Sequence, residues 1–146
     1  MSPAQPGDRN RRYVLDANAL VGLFEDRKGA ARVERLLEQA LREDRPLLMS
    51  AVNWGEVLYV TWRRHGEDAA YETEARMREM PVAVIAADRD RASRAAALKQ
   101  KHNLGYADAF AAELTIELGA WLVTADPEFS KMGKMLSVFP LPRHEK

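Results

Sequence analysis

The sequence predicts an α/β fold with a parallel sheet, on three observations. Short, largely apolar runs recur along the chain: Tyr13-Val14-Leu15, Leu47-Leu48-Met49, Val82-Ala83-Val84-Ile85-Ala86 and Trp121-Leu122-Val123-Thr124. Runs of this kind, without polar alternation, read as strands buried on both faces. Between them lie stretches whose apolar residues return at helical spacing. Strands alternating with helices imply a parallel sheet covered on both faces, joined by right-handed crossovers.

The elements follow in order. Arg11 and Arg12 precede the first strand, which runs into Asp16-Ala17-Asn18. A short helix is expected from Ala19 to Phe24, then a charged turn ending at Gly29. From Ala30 to Glu43, Val33, Leu36, Leu37, Ala40 and Leu41 form an apolar face. Pro46 stops that helix, and the second strand, Leu47 to Met49, follows. Ser50 is a natural N-cap for a helix from Ala51 to about Arg64. There Trp54, Val57, Leu58, Thr61 and Trp62 make the core stripe. Glu56 falls off that stripe, on the side shared with Val52 and Tyr59. Gly66 ends the helix, and another runs from Glu67 to Glu79. Pro81 opens the third strand, Val82 to Ala86. Asp88 caps a helix reaching His102, and Asn103-Leu104-Gly105 breaks the chain. The next helix, Tyr106 to Leu118, carries a stripe of Ala107, Ala111, Leu114 and Leu118, with Gly119 as its stop. The fourth strand, Trp121 to Thr124, leads to Ala125-Asp126-Pro127. A fifth strand is expected from Met135 to Phe139. The domain is thus expected over 13–139, after a loose polar leader (1–12) and before a tail (140–146).

Composition narrows the function. Lysine plus arginine equals aspartate plus glutamate, 22 each among 146 residues. Net charge therefore names no polyanionic partner, and any such binding needs local clustering. There is no cysteine, which excludes disulfides and thiolate metal sites. Three histidines argue against a histidine-rich zinc centre. No apolar run approaches the roughly 20 residues of a membrane span. The leader lacks the apolar core of a signal peptide. A cytoplasmic protein is the expectation.

Function is expected where acids collect. In open α/β sheets, ligands bind beyond the carboxyl ends of the strands. Asp16 ends the first strand and Asp126 follows the fourth. If those strands are neighbours, the two converge, and helices starting at the same edge bring Glu56 and Asp108 to the same mouth. Each acid alone has an ordinary role: a cap for Asp16, a solvated helix position for Glu56, a favourable helix N-terminus for Asp108, a turn for Asp126. The set carries the functional reading. Two like charges 4 Å apart repel by ~4 kcal/mol at an effective dielectric of 20, and a divalent cation resolves that. Oxygen ligands favour Mg²⁺ or Mn²⁺, ions that commonly serve phosphate chemistry. Asn18 and Thr124 add neutral polar groups beside the acids.

Four segments match a known family in its order. They are Tyr13-Val14-Leu15-Asp16-Ala17-Asn18-Ala19-Leu20, Ser50-Ala51-Val52-Asn53-Trp54-Gly55-Glu56-Val57, Leu104-Gly105-Tyr106-Ala107-Asp108-Ala109-Phe110 and Leu122-Val123-Thr124-Ala125-Asp126-Pro127-Glu128-Phe129. The chain resembles a PIN-domain endoribonuclease, specifically a VapC-type toxin of a type II toxin–antitoxin pair. The resemblance implies a three-layer α/β/α fold with strand order 3-2-1-4-5. It implies Asp16, Glu56, Asp108 and Asp126 as an acidic quartet around one or two Mg²⁺ or Mn²⁺, with Asp16 and Asp108 the surest direct ligands. Thr124 and Asn18 match the family's supporting polar positions. The resemblance also implies RNA as substrate, a homodimer, and a cognate antitoxin whose segment enters the acidic groove.

RNA must be held by cations, since the quartet repels it. Lys131 and Lys134 follow the site in sequence and are preferred; Arg63, Arg64, Arg89, Arg91, Arg94, Lys99 and Lys101 are further choices. Trp62 and Phe129 are expected in the core, with base stacking as the alternative. Three other classes are weighed. A receiver domain needs an acceptor aspartate after the third strand, where only Asp88 stands. A haloacid-dehalogenase-type phosphatase needs an aspartate where this chain has Asn18. A non-catalytic scaffold could keep the fold without the chemistry.

Overall fold

A computed structural model of the chain describes residues 11–143. Residues 1–10 of the expected leader and 144–146 of the expected tail lie outside the described residues. Five strands form one parallel sheet in the order β3-β2-β1-β4-β5: β1 Tyr13–Leu15, β2 Leu47–Ser50, β3 Val82–Ile85, β4 Trp121–Thr124 and β5 Val138–Pro140. The order is the expected one. Among the described residues six α-helices connect them: α1 Ala17–Phe24, α2 Ala30–Arg42, α3 Ala51–His65, α4 Glu67–Glu79, α5 Arg89–His102 and α6 Tyr106–Glu117. A 3₁₀ segment, Pro127–Met135, kinked at Gly133, leads into β5.

The central strand shows why three layers form. Val14 and Leu15 are both fully buried, and successive strand side chains point to opposite faces. Val14 packs with Leu48, Ala95, Phe110, Leu114 and Leu122 on the face covered by α5 and α6. Leu15 packs with Leu20, Val33, Met49, Val57 and Met77 on the face covered by α1 to α4. Truncating Leu15 removes the middle of the second core. Leu15→Ala is expected to cost about 2–5 kcal/mol, read as a lower urea midpoint at unchanged slope.

Local chemistry sets the ends of the elements. Gly66 adopts φ +95°, a conformation few other residues tolerate, and separates α3 from α4. Asn103 takes the left-handed conformation that closes α5, and Gly119 (φ +60°) turns the chain after α6. Helix α2 ends at Arg42, before Pro46 is reached, in a turn where Asp44 has φ 50°.

Several packing expectations change. Leu41, assigned to the apolar face of α2, is 72% exposed while its neighbour Ala40 is buried, because it stands about 80° around the helix from Val33, at the edge of the stripe. Trp62 is not core: it is 47% exposed at the far end of α3 and packs edge-on against Tyr71 of α4. Helix α6 buries far more than one stripe, with every residue from Ala109 to Thr115 buried. It contacts α5, α3, β1, β2 and β4 at once. Its buried Glu113 is neutralised by Arg94 at 2.8 Å and Arg91 at 3.2 Å, both from α5. The fifth strand begins later than expected, since Met135 still belongs to the 3₁₀ helix. Leu141, placed in the tail by sequence, is buried and donates its backbone N–H to the Thr124 carbonyl at 2.8 Å.

Candidate active site

β1 and β4 lie side by side with Leu15 paired to Val123. The next residues, Asp16 and Thr124, therefore meet at the carboxyl edge of the sheet. Asp16 is almost wholly buried. Its Oδ1 accepts from the Ala19 backbone N–H at 2.8 Å, which caps α1. Its Oδ2 accepts from the Thr124 hydroxyl at 2.5 Å. Thr124 Oγ1 in turn accepts from the Asp126 N–H at 2.9 Å. The expected cap and the functional position of Asp16 are thus one arrangement: the cap fixes the carboxylate in place.

The other acids arrive on helix starts at the same edge. Asp108 lies in the first turn of α6, and Glu56 in the second turn of α3, which Ser50 caps by accepting from the Val52 N–H at 3.1 Å. Asp126 precedes the 3₁₀ helix and accepts from the Glu128 N–H at 2.9 Å. Gly105 closes the approach to Asp108: a Cβ there would stand 3.3 Å from Asp108 Oδ2.

The four carboxylates sense one another. Burial, then repulsion from Asp108 and Asp126, pushes Asp16 up to about 7, against the lowering effect of its bonds from Thr124 and Ala19. Burial, then repulsion from Asp126, Glu56 and Glu128, pushes Asp108 up to about 6. Glu56 is also raised, by burial first and Asp126 after it, with a hydrogen bond from Asn53 opposing. Burial and like charge act together here to disfavour the ionised forms.

Among the described residues, no three acidic or histidine side chains converge tightly enough to hold a metal ion unaided. The donor set still fits a hard divalent cation. Mg²⁺ keeps several waters and takes only one or two carboxylates directly, and every donor here is oxygen. A cation would also lower the repulsion that raises Asp16 and Asp108.

The other expected residues divide. Asn18 is half-buried in the first turn of α1, two positions past Asp16. Lys131 pairs with Glu128 and reaches the Asn103 carbonyl at 3.3 Å, so it stands beside the site. Lys134 is exposed just past the kink at Gly133, on the following turn. Arg63 and Arg64 lie two helical turns from Glu56, roughly 10–12 Å along the axis. Arg63 covers the Tyr59 ring at 5.2 Å. Arg64 lines a separate cavity of about 600 Å³ among α1, α3 and α4, where it donates to Glu25 at 3.1 Å. Phe129 is core, as expected. Asp88 caps α5 at the exposed edge, as expected, rather than joining the acids. Two residues went unmarked by sequence reasoning. Glu128 adds a fifth charge near Asp108, and Asn53 contacts Glu56 from within α3.

A PIN domain family model matches residues 13–135. The chain belongs to the PIN domain family. No curated protein matches it significantly. Among solved structures, a toxin–antitoxin complex from Klebsiella pneumoniae is similar at 25% identity and a TM-score of 0.60, covering 87% of this chain and 95% of that one. The sarcin-ricin loop cleaving toxin VapC20 of Mycobacterium tuberculosis is 20% identical (TM-score 0.62), with 83% and 95% of the two chains covered. VapBC2 of Rickettsia felis, bound to a DNA fragment from its promoter, shares the fold at a TM-score of 0.68 and 16% identity, covering 88% and 98%. These PIN neighbours match the chain along almost their whole length. No described helix of this PIN protein is long and apolar enough to cross a membrane.

Proposed function

We propose that the chain is a divalent-metal-dependent endoribonuclease and the toxin of a toxin–antitoxin pair. One observation carries this: four carboxylates from β1, α3, α6 and the end of β4 repel one another at a single edge of a PIN fold. The neighbours support it, since the Mycobacterium tuberculosis protein is a sarcin-ricin loop cleaving toxin and the Klebsiella pneumoniae one comes from a toxin–antitoxin complex.

Asp16, Glu56, Asp108 and Asp126 would hold one or two Mg²⁺ or Mn²⁺. Such an ion, when bound, activates water and offsets charge on a phosphodiester in its transition state. Thr124 keeps Asp16 aimed at the mouth and ties it to Asp126 through the backbone. Glu56 and Asp108, carboxylates at the mouth, are the groups placed to take a proton from the attacking water. Asn18 supplies neutral hydrogen bonding beside Asp16. Lys131 and Lys134 draw the RNA strand past the acids; Arg63 and Arg64, two turns down α3 and with Arg64 held by Glu25, are more distant RNA contacts. The target is RNA of the tRNA, rRNA or mRNA class, cut in the cytoplasm by a nuclease unit spanning 13–139. A cognate antitoxin holds the enzyme silent. The enzyme is a homodimer, and the exposed aromatics Tyr59, Trp62 and Tyr71 on α3 and α4 support a protein contact there.

The test is incubation of the purified protein with total cellular RNA under Mn²⁺, Mg²⁺ or EDTA. Discrete fragments are expected with metal and none with EDTA. Intact RNA under every condition would favour a non-catalytic scaffold instead.

A further inference from the structure

Asn53 sits in the first turn of α3 with no exposed surface. Its Nδ2 donates to the Ala107 carbonyl at 3.1 Å and, less strongly, to Glu56 Oε1 at 3.4 Å. The amide's orientation follows from the first contact, since a carbonyl can only accept. Its Oδ1 is buried without a partner, the sole such side-chain atom among the described residues.

A stability role explains this poorly. A buried amide with an orphaned acceptor is less favourable than an apolar side chain of similar shape. What the amide supplies is a connection. Ala107 directly precedes Asp108 in the first turn of α6, so one NH₂ group joins Glu56 to the turn that carries Asp108. Glu56 and Asp108 repel each other, and an unbraced Glu56 is free to swing toward solvent.

We propose that Asn53 is a positioning residue: it orients Glu56 and fixes the first turn of α3 against that of α6, setting the Glu56–Asp108 spacing that a divalent ion must bridge. This rests on the metal-site reading above.

The experiment is thermal melting of the full chain against a Mn²⁺ titration. It compares wild type, Asn53→Ala, Glu56→Ala and the double variant. Asn53→Ala is expected to raise the Mn²⁺ concentration giving half the maximal shift by roughly 10–100-fold, the scale of losing a partner that orients a metal ligand. In the Glu56→Ala background the same change is expected to add almost nothing, because Asn53 acts through Glu56. An equal penalty in both backgrounds, or a wild-type Mn²⁺ response in Asn53→Ala, overturns the role of Asn53 alone. A wild type that ignores Mn²⁺ overturns the metal site itself, and this inference with it. Should Asn53→Ala fail to fold, Asn53→Ser keeps one donor and carries the same cycle.

Discussion

Asp108→Asn is expected to lower RNA cleavage by at least about 100-fold, the upper end of what losing even an outer partner of a metal site costs. The metal-free variant is expected to be as stable as wild type or more so. Both follow from one geometry. Asp108 is half-buried and repelled by Asp126, Glu56 and Glu128, so a neutral isostere removes an unfavourable charge. The same change removes a hard anionic oxygen from the position that the tight approach of Gly105 helps define. Cleavage assays and metal-free melting read the two halves separately. A clear fall in the metal-free midpoint would mean that Asp108 stabilises the fold and that the acids do not strain it.

The pH dependence gives the second large effect. Asp16 and Asp108 stand at about 7 and about 6 in the folded protein, above their ordinary 3.8, and Glu56 is raised as well. The folded state therefore holds protons that the unfolded chain releases. The stability these groups contribute is present below pH ~4 and is lost as pH rises through 6 to 7. For buried Asp16 alone the loss is on the order of 4 kcal/mol. Mn²⁺ competes with those protons, so its stabilisation is expected to be small at pH 5 and large at pH 8. Melting in EDTA and in Mn²⁺ from pH 5 to 8 checks this. The metal-free slope is expected to be shallower in Asp108→Asn, which has one fewer site to titrate. A Mn²⁺ effect independent of pH would contradict the assignment.

The sheet was legible because its strands are short apolar runs bounded by turn residues; β1 and β2 are buried almost throughout, whereas the edge strand β3 is only partly covered and exposes Val84. Helix α4 and β4 fall where their flanking Gly66, Pro81, Gly119 and Asp126 put them. The acids were legible as strand-end and helix-start positions, and their convergence follows from β1 lying beside β4. What stayed hidden depends on three-dimensional distance. Periodicity marks Leu41 and Trp62 as apolar-face residues, yet Leu41 stands at the edge of its stripe and Trp62 turns to Tyr71 of α4, each beside a buried neighbour, Ala40 and Thr61. Alternation of alanines in α6 gives no sign that this helix is enclosed all round. Asn53 has no local signature, because its partner Ala107 belongs to a helix distant in sequence. Arg64 reads as one more surface cation, and only the fold sends it to Glu25.

The central claim is that Asp16, Glu56, Asp108 and Asp126 form one divalent-cation site. Calorimetric titration of the metal-free protein with Mn²⁺ at pH 8, beside Asp108→Asn, tests it most directly. Saturable binding of one or two ions to wild type, with proton release and with most of the affinity lost in the variant, is the predicted result. Absence of binding at millimolar Mn²⁺, or equal binding by both proteins, would contradict it.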